Sequence, residues 1–545
     1  MTAPGRAGSA RVIGASALGT LFEWYDFFLY GALAGTFAAH FFTGVNETTA
    51  FLLALATFAV GFVVRPLGAI LFGRLGDRVG RKFTFLATLA LMGVSTFLVG
   101  LLPGHAAIGI AAPLLLVGLR IVQGLAIGGE FGGAIVYVAE HAPPGRRGLH
   151  ASFIPAMAMA GLLLSLLVIA ATRSAMPPED FAAWGWRLPF LLSVVLLAIS
   201  LWMRLSLHES PVFLRMQEER ALSRAPVAEV FLVGANFRRV LAALFGCVIG
   251  QAALFYMGTF YAYYFLERIA RLDGQAATVL TAVALAIGAP LVVACGWLAD
   301  RVGRRPLLFG AVAAAALLYF PLFGALLGAA NPALAAARSA SPIVVHAHPG
   351  DCSLLFDPLG RARHDERSCD VVKAELARAG LGHATVALAV PGPARLAVGG
   401  TTVTAPDAAA LAGARRAGAV GAFQAEARRA LAAAGYAPQA NPARVDRPRV
   451  VTILVVLLAL AAAASGAYAA LLAELFPARI RYTAVSFPQN FGNGWFGGLL
   501  PAVTFAIVAA TGDVFAGLWY PVGLAVLCLL VGLAAIPETR DRPMA

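Results

Sequence analysis

The sequence predicts an all-α polytopic membrane protein with twelve transmembrane helices in two similar six-helix halves. Two observations carry this prediction: 60% of the 545 residues are hydrophobic against 13% charged, and one polar turn occurs twice. A soluble protein of this length needs more charged surface. The formal net charge of +13 is spread over short clusters between apolar runs. This pattern favours a lipid bilayer as partner and disfavours nucleic acid.

Apolar runs of about 20 residues define the helices, because that length spans a bilayer. The first six helices are expected near 12–40, 50–72, 83–103, 109–138, 150–172 and 186–206. The second six are expected near 237–263, 276–298, 307–329, 449–473, 484–510 and 514–536. The first run carries acids and lacks a small-residue cleavage site, so it is interpreted as a spanning helix and not a signal peptide.

Lysine and arginine predict the orientation of the chain. They occur in the turn at 73–82, in the central linker and in the turn near 300, whereas the connections at 42–49 and 103–108 contain none. Basic loops are typical of the cytoplasmic side. Both termini and the linker are therefore expected in the cytoplasm of a multi-pass inner-membrane protein.

The repeated turn relates the two halves. The segment GRLGDRVGRK begins at Gly73, and GWLADRVGRR begins 223 residues later at Gly296. Each copy follows the second helix of its half and has the same predicted orientation. The halves are therefore expected to form a parallel repeat.

A polar segment at 331–448 interrupts the second half between helices nine and ten, on the extracytoplasmic (periplasmic or extracellular) side. Strands are expected at 343–345, 384–390 and 396–403, and helices at 370–379 and 408–434, which is enough for a small α/β module. The predicted organisation is thus an N-terminal half, a linker, helices seven to nine, the insert, and helices ten to twelve with a tail, at 1–206, 207–236, 237–330, 331–448 and 449–545.

The cysteines agree with this topology. Cys352 and Cys369 both lie in the insert and are expected to form a disulfide in an oxidising compartment. The bridge would stabilise the module by roughly 3 kcal/mol. The alternative is a metal site that would recruit His346, His348 or His364. It is disfavoured because no standard ligand spacing is present. Inert packing in apolar helices is expected for the remaining cysteines, Cys247, Cys295 and Cys528.

Ionisable residues inside the predicted helices are the main functional candidates, because a charge within a membrane is costly unless it is paired or hydrated. Glu23 and Asp26 share a face of helix one. Arg65 on helix two lies at a similar depth, so an ion pair with one of these acids is sterically reasonable. Arg120 and Glu130 lie on helix four.

Two interpretations of these charges stay open. They could form a static buried network that fixes helix packing. Alternatively, the acids form a proton relay, since a carboxyl group in a dry cavity can hold a proton near neutral pH, and an arginine holds a carboxylate substrate. Neutral residues expected to line the cavity, each equally compatible with a simple interhelical hydrogen bond, are Tyr25, Gln123, Gln251, Tyr256, Tyr261, Asn490 and Asn493.

Several long motifs resemble the major facilitator superfamily and, more narrowly, its metabolite:proton symporter branch. The two repeated turns and Arg120-x-x-Gln123-Gly124 resemble superfamily signatures. The segments LFEWYDFFLYG, VVRPLGAILFGRLGDRVGRK, RIVQGLAIGGEFGGA and WGWRLPF resemble the branch. The resemblance covers the chain except for 331–448, an insert unusual for the superfamily.

This resemblance implies a twelve-helix fold with alternating access, driven by proton co-transport without any other cofactor, in a chain expected to act as a monomer. Carriers of 2-oxoglutarate, shikimate, citrate, proline and betaine belong to the branch, so it does not define the substrate. It also implies a cytoplasmic gate formed by Gly73, Asp77, Arg78, Gly80, Arg81, Gly296, Asp300, Arg301, Gly303 and Arg304.

The expected function is therefore proton-coupled import of a small organic acid or zwitterion. The alternatives are a proton-driven antiporter that exports drugs or metabolites, and a nutrient sensor that uses the insert to bind a ligand. An enzyme is not expected, because the insert contains no nucleophile–base motif and no phosphate-binding loop.

Overall fold

A computed structural model describes residues 6–43, 47–205, 209–353, 365–542 and 544. Its membrane helices, labelled α1 to α12 in chain order, form one bundle. In the first half they are α1 (Arg6–Ala32, continued by Ala34–Phe41), α2 (Glu47–Val63 and Arg65–Arg78), α3 (Arg81–Leu101), α4 (Ala111–His141), α5 (Arg147–Ala151 and Phe153–Ser174) and α6 (Arg187–Leu205).

The helices of the second half follow two short linker helices, Pro211–Glu218 and Pro226–Phe231. They are α7 (Gly234–Ile269), α8 (Gly274–Val302), α9 (Arg304–Ala330), α10 (Arg447–Leu475), α11 (Arg481–Phe491, continued by Gly492–Gly498 and Leu500–Thr511) and α12 (Trp519–Ala535). Eleven of the described helices are long and apolar enough to cross a membrane. The acid-bearing α1 packs against α4, α5 and α6 and completes the predicted twelve.

Helices α7 and α11 are irregular where they approach the centre of the bundle. In α7 the α-helical pattern is interrupted by π-helical segments, among them Leu244–Val248 and Met257–Tyr261, and Gly492–Gly498 interrupts α11 in the same way. Such segments are frequent at functional sites, because they re-aim side chains and leave the helix free to bend. Both helices contribute to the candidate site described below.

The two repeated turns lie at the same end of the bundle, here called the motif end. Gly80 and Gly303 occupy equivalent positions between α2 and α3 and between α8 and α9, with φ of 135° and 106°. A residue with a side chain would be strained in this conformation. Glycine therefore allows each tight turn.

The insert contains a four-stranded sheet at the opposite end, the insert end. Its strands are β1 (Val344–Ala347), β2 (Ala384–Ala387), β3 (Arg395–Val398) and β4 (Thr401–Thr404), in the order β2-β1-β3-β4. Strand β1 is parallel to β2 and antiparallel to β3. The helices are Pro332–Ala340, Ser368–Arg378 and Gly413–Ala433, the first of which was not predicted.

The predicted strand at 396–403 is wrong as a single strand, because β3 and β4 form a hairpin there. Val398 pairs with Thr401, so the loop is Gly399–Gly400, and both glycines have positive φ, 54° and 80°. Two consecutive residues of this kind are typical of a type I′ turn.

The predicted disulfide between Cys352 and Cys369 is present. The Asp370 carboxylate supports it by accepting hydrogen bonds from the backbone N–H and the hydroxyl of Ser353, at 2.7 and 2.8 Å. Of the histidines considered as metal ligands, His348 lies 3.8 Å from Asp351, and His364 lies outside the described residues.

The insert is joined to the second half through hydrogen bonds at the ends of α7 and α9. The Arg271 guanidinium, after α7, donates to the carbonyl oxygens of Ala379 and Ala437 in the insert. The two junctions of the insert are adjacent, since the Asp446 N–H donates to the Ala329 carbonyl at 3.0 Å. The module therefore leaves and re-enters the bundle at one point.

Candidate substrate site and motif-end clusters

Two buried arginines of the first half lie among aromatic rings. The Arg65 guanidinium carbon is 4.4 Å from the ring centroid of Phe27 and 4.5 Å from that of Phe62. The expected ion pair between Arg65 and Glu23 or Asp26 is wrong: in the described part of the chain no carboxylate lies within ion-pair distance of Arg65. Aromatic rings lie against the guanidinium instead and stabilise the cation through their π faces.

Arg120 approaches the other side of the same aromatic cluster. Its guanidinium carbon is 4.8 Å from the centroid of Phe27 and 4.5 Å from that of Tyr30. One nitrogen donates to Gln123 Oε1 at 2.7 Å, and Gln123 in turn donates to Thr96 Oγ1 at 2.9 Å. The predicted residue Gln123 therefore orients Arg120 through an amide oxygen without neutralising its charge.

The acids of α1 are buried next to this cluster. Glu23 is 1% exposed and Asp26 is 5% exposed. Both carboxylate oxygens of Glu23 and one of Asp26 have no hydrogen-bond partner among the described residues. An isolated carboxylate in such a place is costly. The site therefore combines acids that lack a cation with cations that lack an acid.

Glu130 is paired with a residue that the sequence-based reasoning missed. Arg204 lies 2.6 Å from the Glu130 carboxylate, and both side chains are buried. Arg204 is near the end of α6, where a basic residue is typical of a loop boundary. Its position in the sequence gave no signal that its side chain points into the bundle.

The second half contributes amide groups to a small cavity between the halves. Asn493 donates to Gln251 at 3.4 Å, and Gln251 donates to Ser465 at 3.1 Å. Gln489 donates to the Tyr468 hydroxyl at 3.2 Å. Residues that line the cavity include Trp24, Phe131, Gln251, Tyr468, Gln489 and Asn493, so Gln489 and Tyr468 join the predicted pair Gln251 and Asn493.

The remaining predicted cavity residues do not line this cavity. Tyr25 donates to the Pro189 carbonyl on α6 at 2.8 Å. Asn490 donates to the Gly128 carbonyl at 2.7 Å and so connects α11 with α4. Tyr256 faces Phe62, with ring centroids 6.1 Å apart. Tyr261 packs against Phe323, at a centroid distance of 5.3 Å.

The first motif-end cluster joins α2 and α4 to α11. Its charged members are Asp77, Arg81, Glu140 and Arg481. The Asp77 carboxylate accepts from the backbone N–H of Tyr482 and Thr483, at 3.1 and 2.9 Å. Arg81 lies 3.5 Å from Asp77, and Glu140 lies 3.0 Å from Arg481. Asp77 thus caps the first turn of a helix in the other half.

The second motif-end cluster repeats this arrangement with Asp300, Arg304, Glu474 and Arg147. Asp300 accepts from the backbone N–H of Gly148 and Leu149, at 2.8 and 2.7 Å, and so caps α5. Arg304 lies 2.8 Å from Asp300 and 3.3 Å from Glu474, and Arg147 lies 3.7 Å from Glu474. The repeat in the sequence is therefore also a repeat of contacts between the halves.

The glycines of the repeat allow close helix contact. A Cβ atom on Gly73 would lie 2.9 Å from the Thr483 Cα atom, and one on Gly296 would overlap Ser152. Arg78 and Arg301 are exposed and lie outside both clusters. Arg301 instead stacks on Trp297, at 3.7 Å from the ring centroid.

A second pair of acids, also missed, caps the helices after the repeated turns. Glu209 accepts from the backbone N–H of Arg81 and Lys82, at 3.1 Å for each. Glu538 accepts from the N–H of Arg304 and Arg305, at 3.0 Å for each. Burial acts to raise the pKa of Glu538, but these backbone donors outweigh burial and hold its pKa below the ordinary value. In the sequence, the feature that could have identified these two acids is a second short repeat, Glu-Ser at 209–210 and Glu-Thr at 538–539.

Comparisons with known proteins agree with this geometry. The sugar (and other) transporter family model matches residues 12–347. The inner membrane metabolite transport protein YhjE of Escherichia coli K12 is 39% identical over 332 residues, 59% of this chain and 74% of that protein. The shikimate transporter of the same strain is 38% identical over 317 residues, 57% of this chain and 71% of that protein.

Solved structures match the fold over nearly the whole chain. The proton:xylose symporter XylE, of the major facilitator superfamily, has a TM-score of 0.63 at 16% identity, covering 99% of this chain and 98% of that one. A partially occluded, inward-open form of XylE from E. coli has a TM-score of 0.57 at 16% identity, covering 98% and 100%. The resemblance drawn from the motifs is confirmed: the chain is a transporter, not an enzyme, it belongs to the sugar (and other) transporter family, and its fold is that of the major facilitator superfamily structure XylE.

Proposed function

We propose that the chain imports a small carboxylate-bearing metabolite together with protons, by alternating access. The observation that carries the proposal is the pair of buried guanidinium groups, Arg65 and Arg120, that have no carboxylate partner among the described residues. A guanidinium binds a carboxylate with two parallel hydrogen bonds. A substrate carboxylate would supply the missing counter-charge.

Proton coupling is supported by the acids beside this site. Glu23 and Asp26 have no cation within ion-pair distance in the described part of the chain. A buried carboxyl group in such surroundings can take up and release a proton as its environment changes. Glu23, Asp26 and Glu130 are therefore proposed as the proton relay, and the proton gradient as the only energy source.

The amide side chains of the second half would bind the other end of the substrate. Gln251, Gln489 and Asn493 face the acid-bearing half across the central cavity. These amides carry no charge and can donate or accept hydrogen bonds, so they could bind hydroxyl, carbonyl or ammonium groups of the substrate. A zwitterion is the second candidate, because its carboxylate would still bind the arginines. This candidate is supported by the proline/betaine transporter of Salmonella typhimurium, 36% identical over 56% of this chain and 63% of that protein.

We place the motif end, the linker and both termini in the cytoplasm, and the insert outside, with the chain acting as a monomer. The basic turns and the disulfide of the insert support this orientation. In the present structure both motif-end clusters are formed, and they join the halves at this end. Their residues are proposed as the cytoplasmic gate, which must open when the site faces inward.

Uptake into vesicles with an imposed pH gradient tests the proposal. Labelled shikimate, alpha-ketoglutarate, proline and glycine betaine would be supplied outside. Symport predicts accumulation of at least one of them when the outside is acidic. Accumulation only when the outside is alkaline would mean antiport.

Glu23→Gln and Asp26→Asn should abolish accumulation but retain exchange of substrate for substrate, and normal accumulation by both variants would contradict the relay.

A further inference from the structure

We propose that Arg204 is a positioning residue for proton release, a mobile cation that moves between Glu130 and Glu23. The proposal rests on the proton-coupled import proposed above and adds a residue and a route to it. Arg204 would determine which of the two buried acids is ionised. It would thereby direct the proton towards the motif end.

In the described structure only one of these two acids has a cation. Arg204 Nη1 lies 2.6 Å from a Glu130 carboxylate oxygen, while no cation lies within ion-pair distance of Glu23 among the described residues. Two buried acids that share one cation cannot both be ionised at low cost, because an uncompensated buried charge is strongly unfavourable. The acid that lacks Arg204 is therefore the one expected to carry a proton.

Arg204 can reach Glu23 through its free nitrogens. The Nε and Nη2 atoms have no hydrogen-bond partner among the described residues. Nη2 lies directly against the α1 backbone at Gly19, where a Cβ atom would overlap it. Glu23 is four residues further along the same helix face, a rise of about 6 Å. A change of side-chain rotamer would therefore suffice to move the guanidinium from Glu130 towards Glu23.

A second cavity connects Arg204 with the motif end. It is small and is lined by Lys82, Phe85, Leu86, Tyr137 and Arg204. The Arg204 guanidinium stacks on Phe85, 3.7 Å from the ring centroid. Lys82 lies in the first turn of α3, at the motif end. The cavity therefore extends towards the end of the bundle where the proton would leave. Arg65, by contrast, is not among the residues that line this cavity.

The other ionisable groups around the pair belong to several elements. Lys82 on α3 and Tyr137 on α4 line the cavity. Tyr482 on α11 donates to the Gly129 carbonyl and interacts electrostatically with both Glu130 and Arg204. On α1 and α2, Asp26 and Arg65 interact electrostatically with Glu23. Among these groups Arg204 is the cation that pairs with Glu130.

The proposed step conserves charge and protons. Glu23 begins as a carboxylic acid, and Glu130 begins as a carboxylate paired with Arg204. The O–H bond of Glu23 breaks, the proton passes to Glu130 directly or through one water molecule, and an O–H bond forms there. Arg204 stays protonated and moves to the new Glu23 carboxylate. Glu130 then releases its proton into the cavity at the motif end as Glu23 takes up a new proton from the substrate site and Arg204 returns to the Glu130 carboxylate.

Two substitutions of Arg204 test this step in vesicles. The probe is whichever of shikimate, alpha-ketoglutarate, proline or glycine betaine the wild-type protein accumulates. For Arg204→Gln, proton-driven uptake should fall about 100-fold while substrate exchange changes less than about twofold. Arg204→Lys keeps the charge and should recover part of the uptake. Proton-driven uptake by Arg204→Gln at the wild-type rate would overturn this proposal while leaving import itself intact, whereas absence of accumulation by the wild type would overturn the import proposal.

A matched pair of glycine substitutions on α1 keeps every ionisable group. Gly19→Ala should displace the Arg204 guanidinium and reduce proton-driven uptake more than exchange. Gly14→Ala, on the same helix, has open space around the added methyl group and should behave as the wild type. Equal behaviour of the two variants would contradict a role for the contact at Gly19.

Infrared spectroscopy of the purified protein gives a measurement that does not depend on transport. The wild type should show a protonated carboxyl band that Glu23→Gln removes. Arg204→Gln should add a further carboxyl band, because Glu130 then loses its cation, and the double substitution with Glu130→Gln should remove that band again. An unchanged carboxyl spectrum in Arg204→Gln would overturn the pairing of acid and cation proposed here.

Discussion

The Asp77 carboxylate of α2 accepts hydrogen bonds from both the backbone N–H and the hydroxyl of Thr483 on α11, at 2.9 and 2.8 Å. A negative charge at a helix N-terminus satisfies free N–H groups and complements the helix dipole. Asp300 makes the equivalent contact with α5. Each half therefore caps a helix of the other half, and both caps must be released before the motif end can open.

Asp77→Asn should shift the protein towards the state that is open at the motif end. Asparagine keeps the shape but replaces one of the two accepting oxygens by an amide NH2 group, which cannot accept from a backbone N–H, and it removes the charge beside Arg81. Loss of a cap interaction costs about 1 kcal/mol, which corresponds to a roughly fivefold shift in population. Distance distributions between spin labels at the exposed positions Arg74 and Val302 measure the shift. Arg215→Gln, an exposed linker substitution, is the control, and unchanged distances in Asp77→Asn would contradict capping as the closing interaction.

Glu140→Gln should lower thermal stability, because Glu140 lies between two buried arginines. Arg481 is 3.0 Å and Arg81 is 3.7 Å away. Removing one partner of a buried pair costs about 3–5 kcal/mol, since the other charge stays uncompensated. The measurement is thermal unfolding of the protein in detergent, with the exposed Glu218→Gln as control.

A double substitution separates the ion pair from other effects of Glu140. Glu140→Gln combined with Arg481→Gln should be less destabilised than the sum of the two single substitutions, because no charge is left unpaired. Additive effects would mean that Glu140 and Arg481 do not stabilise each other. Glu474→Gln should behave like Glu140→Gln at the second cluster.

The apolar runs and the repeat at Gly73 and Gly296 were together sufficient to predict the fold, and the repeat alone identified the aspartates of the motif end. It could not identify Glu140 and Glu474, because a single acid at a helix end is compatible with an ordinary solvated boundary. The partners of these acids come from the other half of the chain. Only the packing of the halves brings them together, and the sequence around each acid does not indicate this packing.

The buried charges were identified by their cost in a membrane, but their partners were not. Similar depth suggested that Arg65 pairs with Glu23, whereas the Arg65 guanidinium lies against Phe27 and Phe62 and makes no ion pair with Glu23. Depth is one coordinate, and the rotation of each helix about its axis decides which side chains meet. Arg204 was missed for the same reason, since a long side chain at a helix end can point either way.

Arg65→Lys and Arg120→Lys should weaken binding of the transported compound. Lysine keeps the charge but loses the planar fork and the stacking on Phe27. The apparent KM is expected to rise about tenfold, equivalent to about 1.4 kcal/mol, with a smaller change in maximal rate. Arg187→Lys is the matched control, because Arg187 also stacks on a ring, that of Trp186, but does so near the insert end. An unchanged KM in both variants would exclude these arginines from substrate binding.

Deletion of residues 335–443, closed by two glycines, should leave a folded bundle. The junctions are adjacent, as the hydrogen bond between Asp446 and Ala329 shows. Thermal stability should fall, because Arg271 no longer links α7 to the insert. Uptake and size-exclusion profiles of the deleted protein measure both effects. Loss of uptake by a folded, monodisperse protein would mean that the insert takes part in the transport cycle.

The contact between the insert and the loop after α11 should weaken in acid because of His383. Its backbone N–H donates to the Gly512 carbonyl at 2.6 Å, and Nδ1 is buried without a hydrogen-bond partner among the described residues. Burial, with a smaller contribution from Lys373, lowers the pKa of His383 from 6.5 to about 4. The docked form therefore favours the neutral ring, and an undocked histidine would bind a proton more readily.

The lower pKa of His383 in the docked form than in the undocked form sets the direction of the pH dependence. Docking should have its full strength above about pH 6.5 and weaken as the pH falls towards 4, where the docked ring itself becomes protonated. Hydrogen exchange of the insert and of residues 512–515, compared at neutral and mildly acidic pH, measures the effect. His383→Gln cannot be protonated and should remove the pH dependence, whereas His346→Gln, on β1, should retain it. Equal acid sensitivity of the wild type and His383→Gln would exclude His383 as the titrating group.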